Sequence, residues 1–408
     1  MHGWRHSTVS ADVSGGGALH DDTALETRKE TSPKVCILSS VHLALDNRVF
    51  YREAQSLRQA GYDVTLIAVH EHDEVRDGVR IVALPHVRRW QRPLLWLTLL
   101  QGAIRTRADV FHFHDPELLI VTPWLRWLTG KPTIYDVHEV YADFIQVKDY
   151  IPTWLRHPVA WVFRWLEPLL ARLQSALLFA DEEIAATFSS MNKPKATLFN
   201  FPSRSFVEDA LVATRNAGPR EPVILYLGGL ERNRGSRLML EAFHQVWQAH
   251  PQARLLLVGH FAPPNLEREV RADAEQRGIE QAITITGRVP FEQIGAYLTR
   301  ASVGWVTWQP EAKNQKNIPT KLFEYMAYGL PVVCSDLTST RPFVLERQNG
   351  YLVTADDPAD HARAILQLLH HPQLAASMGK KGQQMVRTDY NWDEMQEHLL
   401  ALYQEVLS

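Results

Sequence analysis

Cysteine is almost missing from this 408-residue chain: only Cys36 and Cys334 occur, far apart and each inside an apolar run. That excludes a disulfide framework or a thiolate zinc centre and predicts two buried thiols in a reducing compartment, the cytoplasm. An excess of one charge is also lacking. Lys and Arg number 43 against 46 Asp and Glu, a formal net charge of −3, so no broad basic field exists to neutralise nucleic-acid phosphates. No nucleic-acid partner is expected, and any anionic ligand must be met locally. No segment offers about 18 uninterrupted apolar residues, which argues against a transmembrane helix. Residues 1–33 lack the apolar centre of a signal peptide, and their Gly, Ser, Thr and charges cannot bury a core, so they read as a disordered tail.

What is abundant is apolar residue content, 45%, enough for two ordinary domains. Short β-branched runs alternate with longer amphipathic segments: 34–41, 63–70, 108–115 and 131–139, then "SALLFA" and "KATLFN". This is the pattern of βα units and a parallel sheet. The stretch "PSRSFVEDALVATRNAGPRE" shows turn residues and no strong period. Beyond it the alternation restarts at 222–229, 254–260, 282–288, 302–308 and 330–336. The predicted fold is therefore α/β, two doubly wound Rossmann-like domains (34–210 and 211–390) facing a central cleft, with a boundary near 203–220. Residues 391–408 read as an amphipathic helix that packs back on a domain, the N-terminal one being favoured.

Within "KNIPTKLFEYMAYGLPVVCSD" the spacing predicts a helix over roughly 319–328, opened by Pro319 and stopped by Gly329 and Pro331. Leu322, Phe323, Met326 and Ala327 share one face, and Thr320, Lys321 and Glu324 share another. The second face can look into the cleft with the helix N-terminus aimed at an anion, or it can simply be solvated. "YLGGLERNRGS" offers a second phosphate candidate, with Gly228 and Gly229 allowing close backbone approach before Arg232 and Arg234; as a glycine loop it is a weak signal. In the first domain His112 and His114 lie at period two ahead of Asp115, and Asp136 and His138 ahead of Glu139. Such clusters suit metal ligands or packed strand residues. "DNR" (Asp46, Asn47, Arg48) is either a polar loop or a helix start capped by Asp. Seven of the 12 tryptophans fall between Trp90 and Trp165, interleaved with arginine. Those segments read either as core-facing helices with snorkelling arginines or as helices lying in a headgroup layer.

"PTKLFEYMAYGLPVVCSD", "YLGGLERNRG", "ITITGRVPFEQIGAYL", "NGYLV", "HDPELL" and "YDVHE" together resemble the family-4 retaining glycosyltransferases of GT-B architecture, particularly bacterial surface-polysaccharide enzymes. The likeness runs from about Lys34 to the C-terminus. It implies a nucleoside diphosphate sugar, UDP-sugar favoured, as donor in the cleft and no metal or other cofactor. By resemblance Glu324 holds the ribose, and Arg234, with Arg232 nearby, meets the diphosphate. Gly287, Arg288 and Val289 form the turn at the base. His138 is a cleft histidine beside the donor sugar, and the loop holding Asp46, Asn47 and Arg48, with His114 and Asp115 near it, reaches the diphosphate or acceptor.

Two positions depart from the family. Its paired glutamates stand eight apart, and counting back from Glu324 gives Lys316, which leaves the backbone of Asn317, Ile318, Pro319 and Thr320, with Lys321, as sugar and phosphate anchors. The first arginine of the glycine turn is replaced by Gly229. The implied reaction is glycosyl transfer with retention to a glycan or lipid-linked glycan, in the cytoplasm with peripheral contact at the inner membrane face. Two rivals stand beside it: a silent nucleotide-sugar binder, and a metal-dependent hydrolase using His112, His114 and His138.

Overall fold

The computed structural model describes residues 32–146 and 151–408; the tail expected over 1–33 lies almost wholly outside them. Strands β1 (Lys34–Leu43), β2 (Asp63–Val69), β3 (Glu74–Arg76), β4 (Val79–Leu84), β5 (Val110–Phe113), β6 (Thr133–Val137), β7 (Ala176–Phe179) and β8 (Lys195–Thr197) form one sheet. Its order is β3-β4-β2-β1-β5-β6-β7-β8, parallel except where β3 meets β4. The middle strands are buried along their whole length, as runs such as "VFHF" and "ALLF" require when helices cover both faces.

The second lobe repeats the plan with β9 (Val223–Leu227), β10 (Leu230–Glu231), β11 (Arg254–Val258), β12 (Phe261–Ala262), β13 (Ile283–Gly287), β14 (Val303–Val306), β15 (Val332–Ser335) and β16 (Gly350–Val353). Six of them form a parallel sheet in the order β13-β11-β9-β14-β15-β16, while β10 and β12 pair separately. In each sheet the strand order reverses direction beside the first strand, between β1 and β5 and between β9 and β14. Ligands of open α/β sheets bind outside the carboxyl ends of strands at such points.

Two local expectations are corrected. The stretch expected to lack regular structure after residue 200 holds a helix, Arg204–Arg215, whose start is fixed by Ser203 accepting from the Phe206 N–H. Its buried Val207 and Ala210 outweigh a polar, poorly periodic composition. The edge strands β3 and β16, and β4 next to β3, were not expected either, because they are short and bury only part of their length.

The closing helix Trp392–Leu407 packs on the first lobe. Trp392 Nε1 donates to Ser56 Oγ at 2.8 Å, and the Tyr403 hydroxyl sits 2.9 Å from His112 Nδ1.

Candidate active site

The turn after β9 begins the site. Gly228 has φ +107°, and a Cβ there would stand 3.3 Å from Lys321 Nζ, so glycine is needed for both conformation and space. The Tyr226 hydroxyl donates to the Gly229 carbonyl at 2.9 Å, and Thr307 Oγ1 donates to the Arg234 carbonyl at 2.6 Å. The backbone so held delivers the Arg234 guanidinium onto the Trp308 ring, 3.9 Å from its centroid. Arg234 Nη1 is buried and has no hydrogen-bond partner. An immobilised cation with a spare donor is what a diphosphate requires.

Helix Thr320–Ala327 follows, with Pro319 at its N-cap position in extended conformation. Lys321 does not lie in solvent: it is buried, with Nζ 3.7 Å from the Tyr226 ring centroid. Burial, with the charge of Arg234 beside it, holds its ammonium well below the usual lysine range. Burial likewise raises the Glu324 carboxyl, against the pull of Arg52 and Lys321. The hollow beside Glu324, shared with Asn47, Arg52, Asn200 and Thr320, measures about 10 Å³. A hollow of that size is too small to hold a sugar ring.

A larger cavity of about 230 Å³ lies between the lobes, lined by His138, Glu139 and Asp181 on one side and Trp308, Asn317, Ile318 and Thr320 on the other. It opens at the carboxyl ends of both sheets. Hollows of about 550 and 540 Å³ lie on the C-terminal lobe away from this cleft, one against β16 and one among residues such as Pro222, Ser302 and Pro331 that precede β9, β14 and β15. Those are the wrong places for a ligand of this fold.

Beneath His138 is a buried charge network. Arg48 donates from Nε and Nη2 to the two Asp136 oxygens, both at 3.0 Å, and from Nη1 to the Leu198 carbonyl at 2.6 Å. Its Nε also stands 2.9 Å from Glu53. The backbone brings Arg48, Arg52 and Glu53 inward through a widened π-type turn over Val49–Ala54. His138 Nε2 lies 3.0 Å from His114 Nδ1 and 3.2 Å from Asp136 Oδ2, so its ring is oriented from below while its remainder edges the cavity. Burial works against ionisation of Asp136, yet Arg48 and the histidines hold its carboxyl well below the usual range. Burial lowers His114 to about 4 and His112 well below its ordinary value, so both are neutral near pH 7.

This places several expected loop residues. Arg48, His114 and Asp115 are buried and do not face the cleft. Each has a stronger local partner: Arg48 has Asp136, and Asp115 accepts from Ser39 Oγ, Ser40 N and Val41 N, fixing the end of β1. Asp46 caps the next turn through the Arg48 and Val49 N–H groups, leaving Asn47 beside the Glu324 hollow. Arg232 is exposed and pairs with Glu269 at 2.7 Å, which leaves Arg234 as the cation aimed inward. Arg288, exposed, and Val289, half-buried, follow β13 and do not line the cavity between the lobes.

Glu53, His112, His114 and Asp136 offer ligand atoms within 4.8 Å of one another, the grouping among the described residues that suits a metal ion. The donor set does not fit a hydrolytic centre. All four residues are fully buried, leaving no open position for water and substrate, and Arg48 already supplies the positive charge.

Lys316 reaches across the cleft: its Nζ lies 2.5 Å from Asp143 of helix Tyr141–Gln146. Beside it Asn317 Nδ2 donates to Glu139 at 2.7 Å, and Lys313 lies 3.6 Å from the same carboxylate. Lys316 thus clasps the lobes. Because the pair is partly exposed, a double-mutant cycle of Lys316→Ala and Asp143→Ala should give a coupling of about 0.5–1 kcal/mol in unfolding free energy. Additive effects would remove the clasp.

Trp308, Tyr226, Arg52 and Asn200 were not singled out from sequence. Only Trp308 carried a usable signal, as the aromatic residue at the end of β14 facing the glycine turn.

Two largely parallel sheets with a cationic, tryptophan-backed turn at the cleft define a two-domain α/β scaffold suited to an anionic ligand, and similarity to known proteins makes the class specific. Residues 47–199 match the glycosyl transferase 4-like domain and residues 221–371 the glycosyl transferases group 1 domain. The chain belongs to this glycosyltransferase family. It is 22% identical over 387 residues to a glycogen synthase of Mycobacterium tuberculosis, covering 85% of this chain and 88% of that one. It is 25% identical over 366 residues to the phosphatidyl-myo-inositol mannosyltransferase of Mycobacterium leprae, covering 86% and 91%. Among solved structures, a sucrose-phosphate synthase from Thermosynechococcus elongatus superposes with TM-score 0.72 at 18% identity, over 92% of this chain and 99% of the other. Anabaena HepE in complex with UDP and glucose gives 0.66 at 14%, over 91% and 100%. The fold is GT-B.

Proposed function

We propose that this glycosyltransferase moves a sugar from a nucleoside diphosphate sugar, UDP-sugar favoured, to a hydroxyl of a glycan or lipid-linked glycan, with retention at the anomeric carbon. The observation that carries this is Arg234, stacked on Trp308 with a buried donor unspent. The bond from the anomeric carbon to the leaving phosphate oxygen breaks as the acceptor oxygen bonds the same face, and the acceptor proton passes to that phosphate oxygen. Charge growing on the diphosphate is stabilised by Arg234, Lys321 and the N–H groups opening helix Thr320–Ala327. His138 orients the sugar. Glu324, on parting of the lobes, accepts from the ribose hydroxyls. The scheme needs no metal. With two buried thiols and an exposed tryptophan-rich surface in support, we put the enzyme in the cytoplasm, meeting a lipid-linked acceptor at the inner membrane face. The replacement of the family's first glutamate by the clasping Lys316 favours a second reading, a binder without turnover.

A thermal-shift series with UDP-, GDP-, ADP- and dTDP-sugars should single out one base, since a ligand of the folded state raises the melting temperature with occupancy. No shift with any of them would remove the donor site. The same ligand should bind more weakly as pH rises. Lys321 in the free site holds its proton poorly, the diphosphate restores it, and binding therefore takes up a proton. Affinity should fall by as much as about tenfold per pH unit above the free-site pKa. Titration calorimetry in buffers of different ionisation enthalpy would detect the proton, and its absence would assign the charge to Arg234 alone.

A further inference from the structure

The first lobe carries an apolar face that nothing in the described fold covers. Helix Arg92–Thr106 buries Leu95, Leu99 and Ala103, a four-residue spacing that makes one face, yet Leu94 and Leu97 on the opposite side are exposed. Helix Thr122–Thr129 buries Leu125 and exposes Trp124 and Trp127. Helix Thr153–Ala171 buries Ala160, Glu167 and Ala171 and exposes Trp154, Trp161, Trp165 and Leu169, again at helical spacing on the opposite side. With Trp90, six of the seven tryptophans between residues 90 and 165 are 61–75% exposed, so the core-facing reading of these segments does not hold. The Arg126 side chain donates to the Leu173 carbonyl at 2.6 Å, tying the second helix to the end of the third.

Six tryptophans alone present on the order of 800 Å², beyond the roughly 300–600 Å² of the largest patch on an ordinary monomer. The charge that the three helices themselves carry is almost all of one sign. The three helices contain Arg92, Arg105, Arg126, Arg156 and Arg164, and a single acid, Glu167. That acid faces inward and accepts from the Tyr135 hydroxyl at 2.8 Å. A second copy of this face would bring arginines mainly onto arginines, the carboxylates beside them being Glu117, 3.4 Å from Arg92, and Asp143, 3.6 Å from Arg164. A layer of anionic headgroups over an apolar interior complements both features.

We infer that this face docks on an anionic bilayer surface, the three helices lying in the headgroup layer with tryptophan and leucine inserted and arginine on the lipid phosphates. No helix among the described residues is long and apolar enough to cross a membrane, so contact is peripheral. The platform adjoins the cleft: Arg164 on the third helix lies 3.6 Å from Asp143, the residue that Lys316 clasps from the other lobe. A lipid-linked acceptor would therefore present its headgroup at the cleft mouth. The docking itself does not depend on the donor-site reading.

Flotation of the full chain with phosphatidylcholine vesicles, with and without phosphatidylglycerol, tests it. Binding should require phosphatidylglycerol, weaken with salt and shift tryptophan emission to the blue. Trp161→Gln with Trp165→Gln should lower partitioning at least about tenfold, and Arg105→Glu with Arg172→Glu, the exposed arginine that closes the third helix, by at least about fivefold for each arginine lost. These side chains are exposed, so melting temperature should not change. No flotation by the wild type, or equal flotation by the variants, overturns the inference. So does a concentration-dependent dimer that the tryptophan substitutions dissolve without any vesicle binding.

Discussion

Arg234→Ala should lower kcat on the order of 100-fold, the loss typical of removing one preorganised donor from a site of developing negative charge. The size of the effect follows from what the side chain does not do. Its Nη1 is buried without a partner, and its plane rests on Trp308, so no internal hydrogen bond of that nitrogen is lost and the melting temperature should hardly move. Arg234→Lys should recover little, because an ammonium lacks the flat face that stacks and the fork that meets two phosphate oxygens. Steady-state kinetics with the donor found by thermal shift would measure it. Full activity in Arg234→Ala would show that the diphosphate lies elsewhere.

Arg48→Ala should cost about 3–5 kcal/mol of stability, the usual price of stranding a buried charge. Arg48 is the partner of both Asp136 oxygens and stands against Glu53, and all three residues are buried. Removing it leaves the Asp136 carboxylate without its guanidinium partner, beside Glu53, whose carboxyl burial and the neighbouring Asp136 already push well above its ordinary range. The pH dependence has a definite sign. In the wild type Asp136 is held below its ordinary pKa, so its contribution is present above the unfolded value and is lost only as pH falls through the folded one. In Arg48→Ala burial prevails and Asp136 prefers its proton. The gap between variant and wild type should thus narrow as pH falls from 7 toward 5. Chemical denaturation across that range measures it, and a gap that widened would contradict the ion-pair assignment.

The alternation of short apolar runs made both sheets legible, because parallel strands covered on both faces must be apolar throughout, and "VFHF" or "VVCS" is hardly anything else. Edge strands were harder to read. The β3–β4 hairpin was not expected: it turns at Asp77-Gly78, whose φ values of 51° and 79° suit a tight two-residue turn, but three residues of "EVR" gave no period. At the site, glycine turns and capped helices are local patterns and were readable. Which polar residue faces the cleft is not local. Arg48 and Asp136 are 88 positions apart, and only the fold shows that their pairing withdraws Arg48 from any ligand. The same holds for Lys316, whose partner Asp143 lies 173 positions away. For the tryptophans, helical period identified the stripes but could not say which of two apolar faces the sheet would take.

The central claim is transfer from a nucleotide sugar with retained configuration. Proton NMR of the purified chain with the donor chosen by thermal shift and a membrane extract as acceptor reads it directly. Nucleoside diphosphate should appear together with a glycoside whose anomeric configuration matches the donor's, and both should vanish with Arg234→Ala. Binding of the donor without nucleoside diphosphate release, or a product of opposite configuration, would contradict the account.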